Sequence, residues 1–250
     1  METAEHIKYL VREGQLLAEA AEEAGEDAEV RTCPGWRVRD LLRHTGMVHR
    51  WATSFVVEGH TSYRPGSGEP DLDGEALLEW FRRGHDRLVT ALTEAPDTLE
   101  CWTFLPAPSP LAFWARRQAH ETTVHRVDAE SALGLVAGRS PVGPGLAADG
   151  VDELLCGFHG RDKSRVRTGR PGTLRVRATD TGDAWTVRLS AEAPRTTRSD
   201  DGPADCELSG PAEALYLTLW NRLPIGTPAV AVSGEDRLAH LWRETSAVTW

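Results

Sequence analysis

The spacing of apolar residues divides the chain into two halves of different character. In the first half, apolar residues recur every three or four positions with charged residues between them, as in amphipathic helices. The repeat covers four stretches, residues 5–24, 36–58, 74–94 and 113–130. Because these stretches are long and are joined by loops rich in proline and glycine, they predict an N-terminal four-helix bundle.

The second half mixes two periodicities. Residues 174–178 and 185–189 alternate apolar and polar side chains on either side of a Thr-Asp-Thr-Gly-Asp turn, which predicts a β-hairpin. We expect further strands at 206–209 and 229–233, and helices at 149–158, 211–221 and 235–244. This composition predicts a smaller C-terminal α+β domain.

The two halves are separated by residues 134–145, which are rich in glycine and proline. This composition predicts an interdomain linker. We therefore expect a helical domain over residues 1–140 and an α+β domain over residues 146–250. The chain has 250 residues, which is long enough for one large hydrophobic core or two small ones, and we prefer two domains.

Charge and hydropathy narrow the choice of partners. The chain has 28 Lys and Arg against 38 Asp and Glu, a net charge of −10, which would repel a phosphate backbone. We expect no nucleic acid as partner. Neither a membrane-spanning run nor the layout of a signal peptide is found in the sequence, so we expect no membrane association and a cytoplasmic location.

The cysteines are scattered singly, which argues against a zinc knuckle and against a disulfide framework. They are Cys33, Cys101, Cys156 and Cys206. Buried free thiols are the default interpretation. Cys33 precedes a predicted helix start, where the helix dipole lowers a thiol pKa, but packing is the preferred interpretation there too.

The strongest chemical signal lies on the fourth predicted helix. Glu121 and His125 are four residues apart, so their side chains point the same way, and Trp114 and Ala132 share that direction. The pair is therefore expected to face the interior. A Glu-x3-His pair alone is a weak signal, because such pairs also form simple intrahelical hydrogen bonds.

His44 strengthens the signal, because it lies on the apolar stripe of the second predicted helix. A bundle can bring the two helices to one core, and two His with one Glu is a ligand set of catalytic zinc sites, which leave a coordination position open. We prefer a metal site made of His44, Glu121 and His125 over histidines that are only packed in the core.

Three further residues compete for roles near this site. His120 and His85 are each either close supports of the metal ligands or packed side chains. Asp128 lies near the direction of His125 and Glu121, where a carboxylate orients a ligating imidazole. The alternative for Asp128 is an ion pair with Arg117 or another arginine.

A basic run in the second half has two interpretations. It comprises Arg161, Lys163, Arg165, Arg167, Arg170, Arg175 and Arg177. A solvated, charge-balanced face is the preferred one. The other is that this run, or Arg222, binds a substrate carboxylate through a bidentate contact.

Several strings resemble a known enzyme family. Residues 32–44 (TCPGWRVRDLLRH), 48–51 (VHRW) and 113–129 (FWARRQAHETTVHRVDA) are similar to signature segments of the mycothiol-dependent maleylpyruvate isomerase family. Residues 175–180, 185–188 and 219–222 are similar to its C-terminal domain, so the resemblance covers nearly the whole chain.

The resemblance implies a DinB-type bundle followed by a domain related to sterol-carrier-like α+β folds. It also implies a divalent metal, usually Zn²⁺, held by a histidine on the second helix and a Glu-x3-His pair on the fourth. The matching positions here are His44, Glu121 and His125. Mycothiol would supply the nucleophilic thiol as cofactor or cosubstrate.

The resemblance therefore implies cis–trans isomerisation of a maleylpyruvate-like substrate by reversible thiolate addition. The carboxylates of such a substrate would need an arginine, and Arg222 is our candidate. A mycothiol S-transferase acting on another electrophile is the alternative within this class. Two alternatives lie outside this class of enzymes: a non-catalytic metal- or ligand-binding protein, and a catalytically inactive relative. The expected partners are a small thiol and a small electrophile, and the expected state is a monomer or weak homodimer.

Overall fold

The computed structural model describes residues 1–135 and 139–248, which fall into two compact units. The first unit is Met1–Arg139 and the second is Ser140–Trp250. Residues 136–138 of the predicted linker lie outside the described residues, as do the last two residues of the predicted C-terminal domain.

The described part of the N-terminal unit contains four long helices, as the apolar repeat predicts: α1 (Thr3–Ala24), α2 (Val38–Glu58), α3 (Gly74–Glu94) and α4 (Pro110–Ala132). Helix α1 packs mainly against α4 and α2 mainly against α3, with further contacts between α1 and α3 and between α2 and α4. Leu17, Leu41, Phe81 and Ala129 bring all four helices into one core. The predicted four-helix bundle is confirmed.

Helix α4 begins and ends with well-defined signals. Ser109 caps the helix by accepting the backbone N–H of Ala112 at 3.1 Å, and Pro110 occupies the first turn, where its missing N–H costs nothing. Gly134 follows the helix with a φ of +85°, a conformation that favours glycine. Nearly every side chain between Leu111 and Ser131 is buried, including the charged ones.

The connection between α1 and α2 contains a closed turn, residues 30–36. The N–H of Val30 donates to the carbonyl of Trp36 at 2.9 Å, and Cys33 bonds to both ends of the turn through its backbone. Gly35 has a φ of +87°, which allows the chain to reverse there. Since Val30 belongs to the bundle core and Trp36 packs against it, the turn is anchored to the helices.

The described part of the C-terminal unit is a five-stranded mixed sheet with short helices, and the predicted α+β class is confirmed. The strands are β1 (Gly172–Ala178), β2 (Ala184–Leu189), β3 (Arg195–Thr197), β4 (Cys206–Gly210) and β5 (Ala231–Gly234), in the order β3-β2-β1-β4-β5. The helices are α5 (Pro144–Asp152), α6 (Ala212–Leu219) and α7 (Arg237–Thr245). The predicted hairpin is the antiparallel pair β1 and β2, in which Val176 faces Trp185.

Two features of this unit differ from the sequence prediction. Strand β3 was not expected, because its three residues are too few for an alternating pattern and it forms by pairing with β2. The single helix expected over 149–158 is an α-helix that continues as a π-helical segment, Glu153–Phe158.

Among the described residues, no helix combines the length and apolarity that crossing a bilayer requires.

Candidate metal centre

Helices α2 and α4 bring His44, Glu121 and His125 together. Glu121 Oε1 lies 3.2 Å from His125 Nε2 and 3.4 Å from His44 Nε2. One potential ligand atom from each residue lies within 4.8 Å of the other two. The two imidazole rings meet edge to face with centroids 5.1 Å apart. The helical spacing therefore aligned Glu121 with His125, and the bundle brought His44 to them from another helix.

The three side chains differ in their access to solvent. The side chain of Glu121 is 4% exposed and that of His125 is 9% exposed, whereas His44 keeps 13%. The sequence pattern had placed His44 fully inside the core, and in the structure it is only half-buried. Of the three side chains, that of His44 is therefore the most exposed to solvent.

The carboxylate of Glu121 is held in its charged form. Burial opposes ionisation, but the imidazoles of His125 and His44 and the guanidinium of Arg117 hold its pKa well below the ordinary value. Arg117 lies one turn earlier on α4, is buried, and donates from Nη2 to Glu121 Oε2 at 3.3 Å. The arginine therefore contacts one carboxylate oxygen and leaves the other directed at the two imidazoles.

Asp128 supports His125 from the opposite side of the ring. His125 Nδ1 lies 2.9 Å from Asp128 Oδ2, and because a carboxylate only accepts, Nδ1 carries the hydrogen. Burial lowers the pKa of His125, but the hydrogen bond to Asp128 and the nearby negative charges of Glu121 and Asp128 outweigh it and raise that pKa to about 9. A neutral His125 would thus present the lone pair of Nε2 towards Glu121.

The donor set fits a single divalent metal ion. Glu121 Oε1 is buried and has no hydrogen-bond partner among the described residues, although two imidazole nitrogens lie close to it. In a tetrahedral zinc site with bonds of 2.0–2.1 Å, neighbouring ligand atoms are about 3.4 Å apart. The separations of 3.2 and 3.4 Å from Oε1 to the two Nε2 atoms match that spacing.

The indole ring of Trp36 lies against both candidate ligands. Its centroid is 5.1 Å from that of His44, and it stacks on His125 at 6.3 Å with 20° between the planes. Trp36 is the last residue of the closed turn. This turn therefore forms part of the wall of the site.

Two other histidines of the bundle have different neighbours. His120 is fully buried on α4 with its ring centroid 6.0 Å from that of His6 on α1. His85 Nε2 lies 2.9 Å from the carbonyl oxygen of Leu10, and its ring is 5.6 Å from that of His49. These contacts agree with the packing alternative for both residues.

The C-terminal candidates have partners inside their own unit. Half-buried Arg222 donates from Nη1 to the carbonyl of Trp220 at 2.8 Å. In the basic run, Arg177 pairs with Asp200 and Glu207. The other arginines of the run from Arg165 onwards bond to carboxylates or backbone carbonyls. These contacts support the charge-balanced interpretation of the run.

Fold and site together define a class: a helical bundle with a candidate His₂Glu metal centre, followed by a small α+β unit. Two family models match the chain, the mycothiol maleylpyruvate isomerase N-terminal domain over residues 9–130 and the MDMPI C-terminal domain over residues 145–241. The chain belongs to the mycothiol maleylpyruvate isomerase family, and the resemblance seen in its sequence motifs is confirmed. It is therefore a member of a family of enzymes.

Solved structures give the same fold. A crystal structure of the mycothiol-dependent maleylpyruvate isomerase matches with a TM-score of 0.61 and 13% identity, covering 93% of each chain. A histidine-to-alanine mutant of that enzyme matches with a TM-score of 0.60 and 12% identity, again over 93% of each chain. No curated protein matches the chain by sequence.

Three residues beside the site were not assigned these roles from the sequence. Arg117 stands four residues before Glu121, a spacing that could have suggested their ion pair. Thr32 donates to Asp128 Oδ1 at 2.5 Å, and Trp36 contacts the two imidazoles. The last two lie in a loop, where no periodicity indicates which way a side chain points.

Proposed function

We propose that the chain is a metal- and mycothiol-dependent enzyme that isomerises a maleylpyruvate-like substrate from cis to trans. The proposal combines family membership with the site on α2 and α4. The observation that carries it is the buried Glu121 Oε1, which has no hydrogen-bond partner among the described residues and lies within 3.4 Å of two imidazole nitrogens.

His44, Glu121 and His125 are the proposed metal ligands. Two imidazoles and one carboxylate suit Zn²⁺, and three protein ligands leave a fourth position for another molecule. When bound, the metal would lower the pKa of a thiol, and the thiol of mycothiol would supply the nucleophile for reversible addition to the double bond.

The protein's own side chains prepare this site in three ways. Arg117 binds Glu121 Oε2, which keeps the carboxylate charged and leaves Oε1 for the metal. Asp128 accepts the hydrogen on His125 Nδ1 and so fixes the tautomer whose Nε2 is a ligand. Trp36 covers the rings of His44 and His125, which limits the entry of water.

The remaining assignments extend the proposal. Arg222 is proposed as the carboxylate-binding residue, because a guanidinium binds a carboxylate with two hydrogen bonds. His120 and His85 are proposed as packed side chains that support the bundle. Residues 1–140 are proposed as the metal-binding domain and residues 146–250 as the second domain, in a cytoplasmic monomer or weak homodimer.

The test is to incubate zinc-loaded protein with mycothiol and maleylpyruvate and to follow fumarylpyruvate. The proposal predicts conversion that requires both the metal and the thiol, and no conversion by a His44→Ala variant. His240→Ala is the matched control, because His240 is exposed on α7, where it lies 4.0 Å from the exposed Asp236. A stable thioether product without isomer would favour the S-transferase. Absence of any thiol-dependent reaction would contradict both.

A further inference from the structure

The closed turn, residues 30–36, contacts the candidate metal centre at two separate points. Thr32 donates its hydroxyl to Asp128 Oδ1 at 2.5 Å, and the other oxygen of Asp128 binds His125 Nδ1 at 2.9 Å. Four residues later, Trp36 lies against the rings of His44 and His125. One short loop thus contacts His125 directly through Trp36 and indirectly through Asp128.

The turn is built to hold these two residues together. A backbone hydrogen bond of 2.9 Å from Val30 to Trp36 closes it, and Cys33 bonds to each end at 3.0 Å. A displacement of Thr32 would therefore be passed to Trp36. Thr32 docks beside the end of α4, where the hydroxyl of Ser131 lies 3.1 Å from its own and donates to the carbonyl of Asp128 at 2.7 Å.

Asp128 needs this support, because its side chain is fully buried. A buried carboxylate keeps a fixed orientation only when its oxygens have donors. Thr32 supplies a donor to Oδ1, which leaves Oδ2 directed at His125. Loss of the hydroxyl of Thr32 would remove a donor to Oδ1 and so weaken the alignment of the imidazole that Oδ2 binds.

We infer that Thr32 is a positioning residue for the metal centre, acting through Asp128 on His125, and that the closed turn and the metal stabilise each other. The inference rests on the proposed metal site. Because the coupling is reciprocal, metal that requires an aligned His125 also favours the docked turn. Partners that orient a metal-binding histidine typically change metal affinity about 10- to 100-fold.

The test measures metal binding by wild-type protein and Thr32 variants. Zn²⁺ affinity is determined by competition with a chelator, and the absorption spectrum of bound Co²⁺ reports the coordination geometry. Thr32→Val, which keeps the shape and removes the hydroxyl, should weaken Zn²⁺ binding about 10-fold or more and alter the Co²⁺ spectrum. Thr32→Ser should restore both. Thr53→Val is the matched control, because Thr53 is buried on α2 and its hydroxyl donates to the backbone carbonyl of His49, one turn earlier on the same helix.

A double-mutant cycle with Asp128→Asn separates positioning from general stability. If Thr32 acts through Asp128, Thr32→Val should have no further effect on affinity in the Asp128→Asn background. Additive losses, or an equal loss in Thr53→Val, would overturn the inference. So would wild-type affinity in Thr32→Val, even if urea unfolding of the metal-free protein showed a loss of stability.

Two further outcomes are distinguishable. If Thr32→Val does not fold, Thr32→Cys replaces it, since a thiol is only a weak donor, and the same weakening is expected. Wild-type protein that binds no stoichiometric Zn²⁺ would overturn the metal site and this inference together. Wild-type protein that binds Zn²⁺ beside an unaffected Thr32→Val would overturn the role of Thr32 alone.

Discussion

Glu121 on α4 directs Oε1 at His44 Nε2 on α2 across 3.4 Å, and this contact joins two helices at a buried point. The same oxygen faces His125 Nε2 at 3.2 Å. Carboxylates in protein interiors usually accept hydrogen bonds of good geometry, and this oxygen has none among the described residues. The proposed metal ion, shared by the three side chains, would satisfy it.

Replacing the carboxylate of Glu121 by an amide tests its role as a ligand. Glu121→Gln keeps the size of the side chain but loses the charge, so we expect Zn²⁺ affinity to fall on the order of 100-fold or more. Chelator competition measures the change. Glu58→Gln is the control, since Glu58 is exposed and pairs with His60 on the surface. Unchanged affinity in Glu121→Gln would exclude Glu121 as a ligand.

Metal binding should release a proton at neutral pH. The pKa of His125 is raised to about 9 in the metal-free protein, so below that pH its Nε2 carries a proton that the metal must displace. Apparent Zn²⁺ affinity is therefore expected to rise about tenfold per pH unit between pH 6.5 and 9 from this group. Titration calorimetry in two buffers of different ionisation enthalpy counts the protons. Binding without proton release at pH 7 would contradict the ligand role of His125.

The same pKa gives the metal-free protein a distinct pH dependence. A folded-state pKa raised from 6.5 to about 9 stabilises the fold fully below pH 6.5, and this contribution is lost as pH rises through about 9. Urea unfolding of the metal-free protein should show this loss between pH 7 and 10. The loss should be smaller in Asp128→Asn, which lacks the charged partner of His125. An equal loss in both proteins would assign the effect to other groups.

A buried ion triad joins α1 and α4. Arg126 on α4 bonds to Glu13 on α1 and to Glu130, each at 2.8 Å, and all three side chains are almost completely buried. Arg126→Met would leave two buried carboxylates without this partner, so we expect a loss of about 3–5 kcal/mol in the free energy of unfolding.

Urea unfolding measures that loss, and an exposed pair supplies the control. Arg82 bonds to Glu22 at 2.6 Å on the surface between α3 and α1, so Arg82→Met should cost less than about 1 kcal/mol. Similar losses in the two variants would show that burial does not set the strength of the Arg126 triad.

The fold could be predicted from the sequence wherever a period is long enough to be recognised. The repeat of apolar residues locates the four bundle helices, and the alternation on both sides of the turn locates the β1–β2 hairpin. Strand β3 escapes prediction, because three residues carry no period and their conformation depends on pairing with β2. The π-helical segment could not be predicted either, because the wider turn of a π-helix leaves no recognisable pattern in so short a sequence.

The candidate site, too, could be predicted only in part. Helical spacing aligns Glu121 with His125, and the apolar stripe of α2 directs His44 towards the interior, so the sequence was enough to predict that these three residues lie together. The contacts made by loop residues could not be predicted, because the distance from Thr32 to Asp128 depends on how the closed turn docks on α4. Sequence alone also left Asp128 with two equal roles, whereas the structure pairs it with His125 and pairs Arg117 with Glu121.

Metal content of the purified protein is the most direct test of the central claim. Elemental analysis should find about one equivalent of zinc in the wild-type protein and in His240→Ala, since a three-ligand site binds one ion. It should find far less in His44→Ala, Glu121→Gln and His125→Ala. Absence of stoichiometric metal from wild-type protein after zinc reconstitution, or equal zinc in wild type and His44→Ala, would contradict the account.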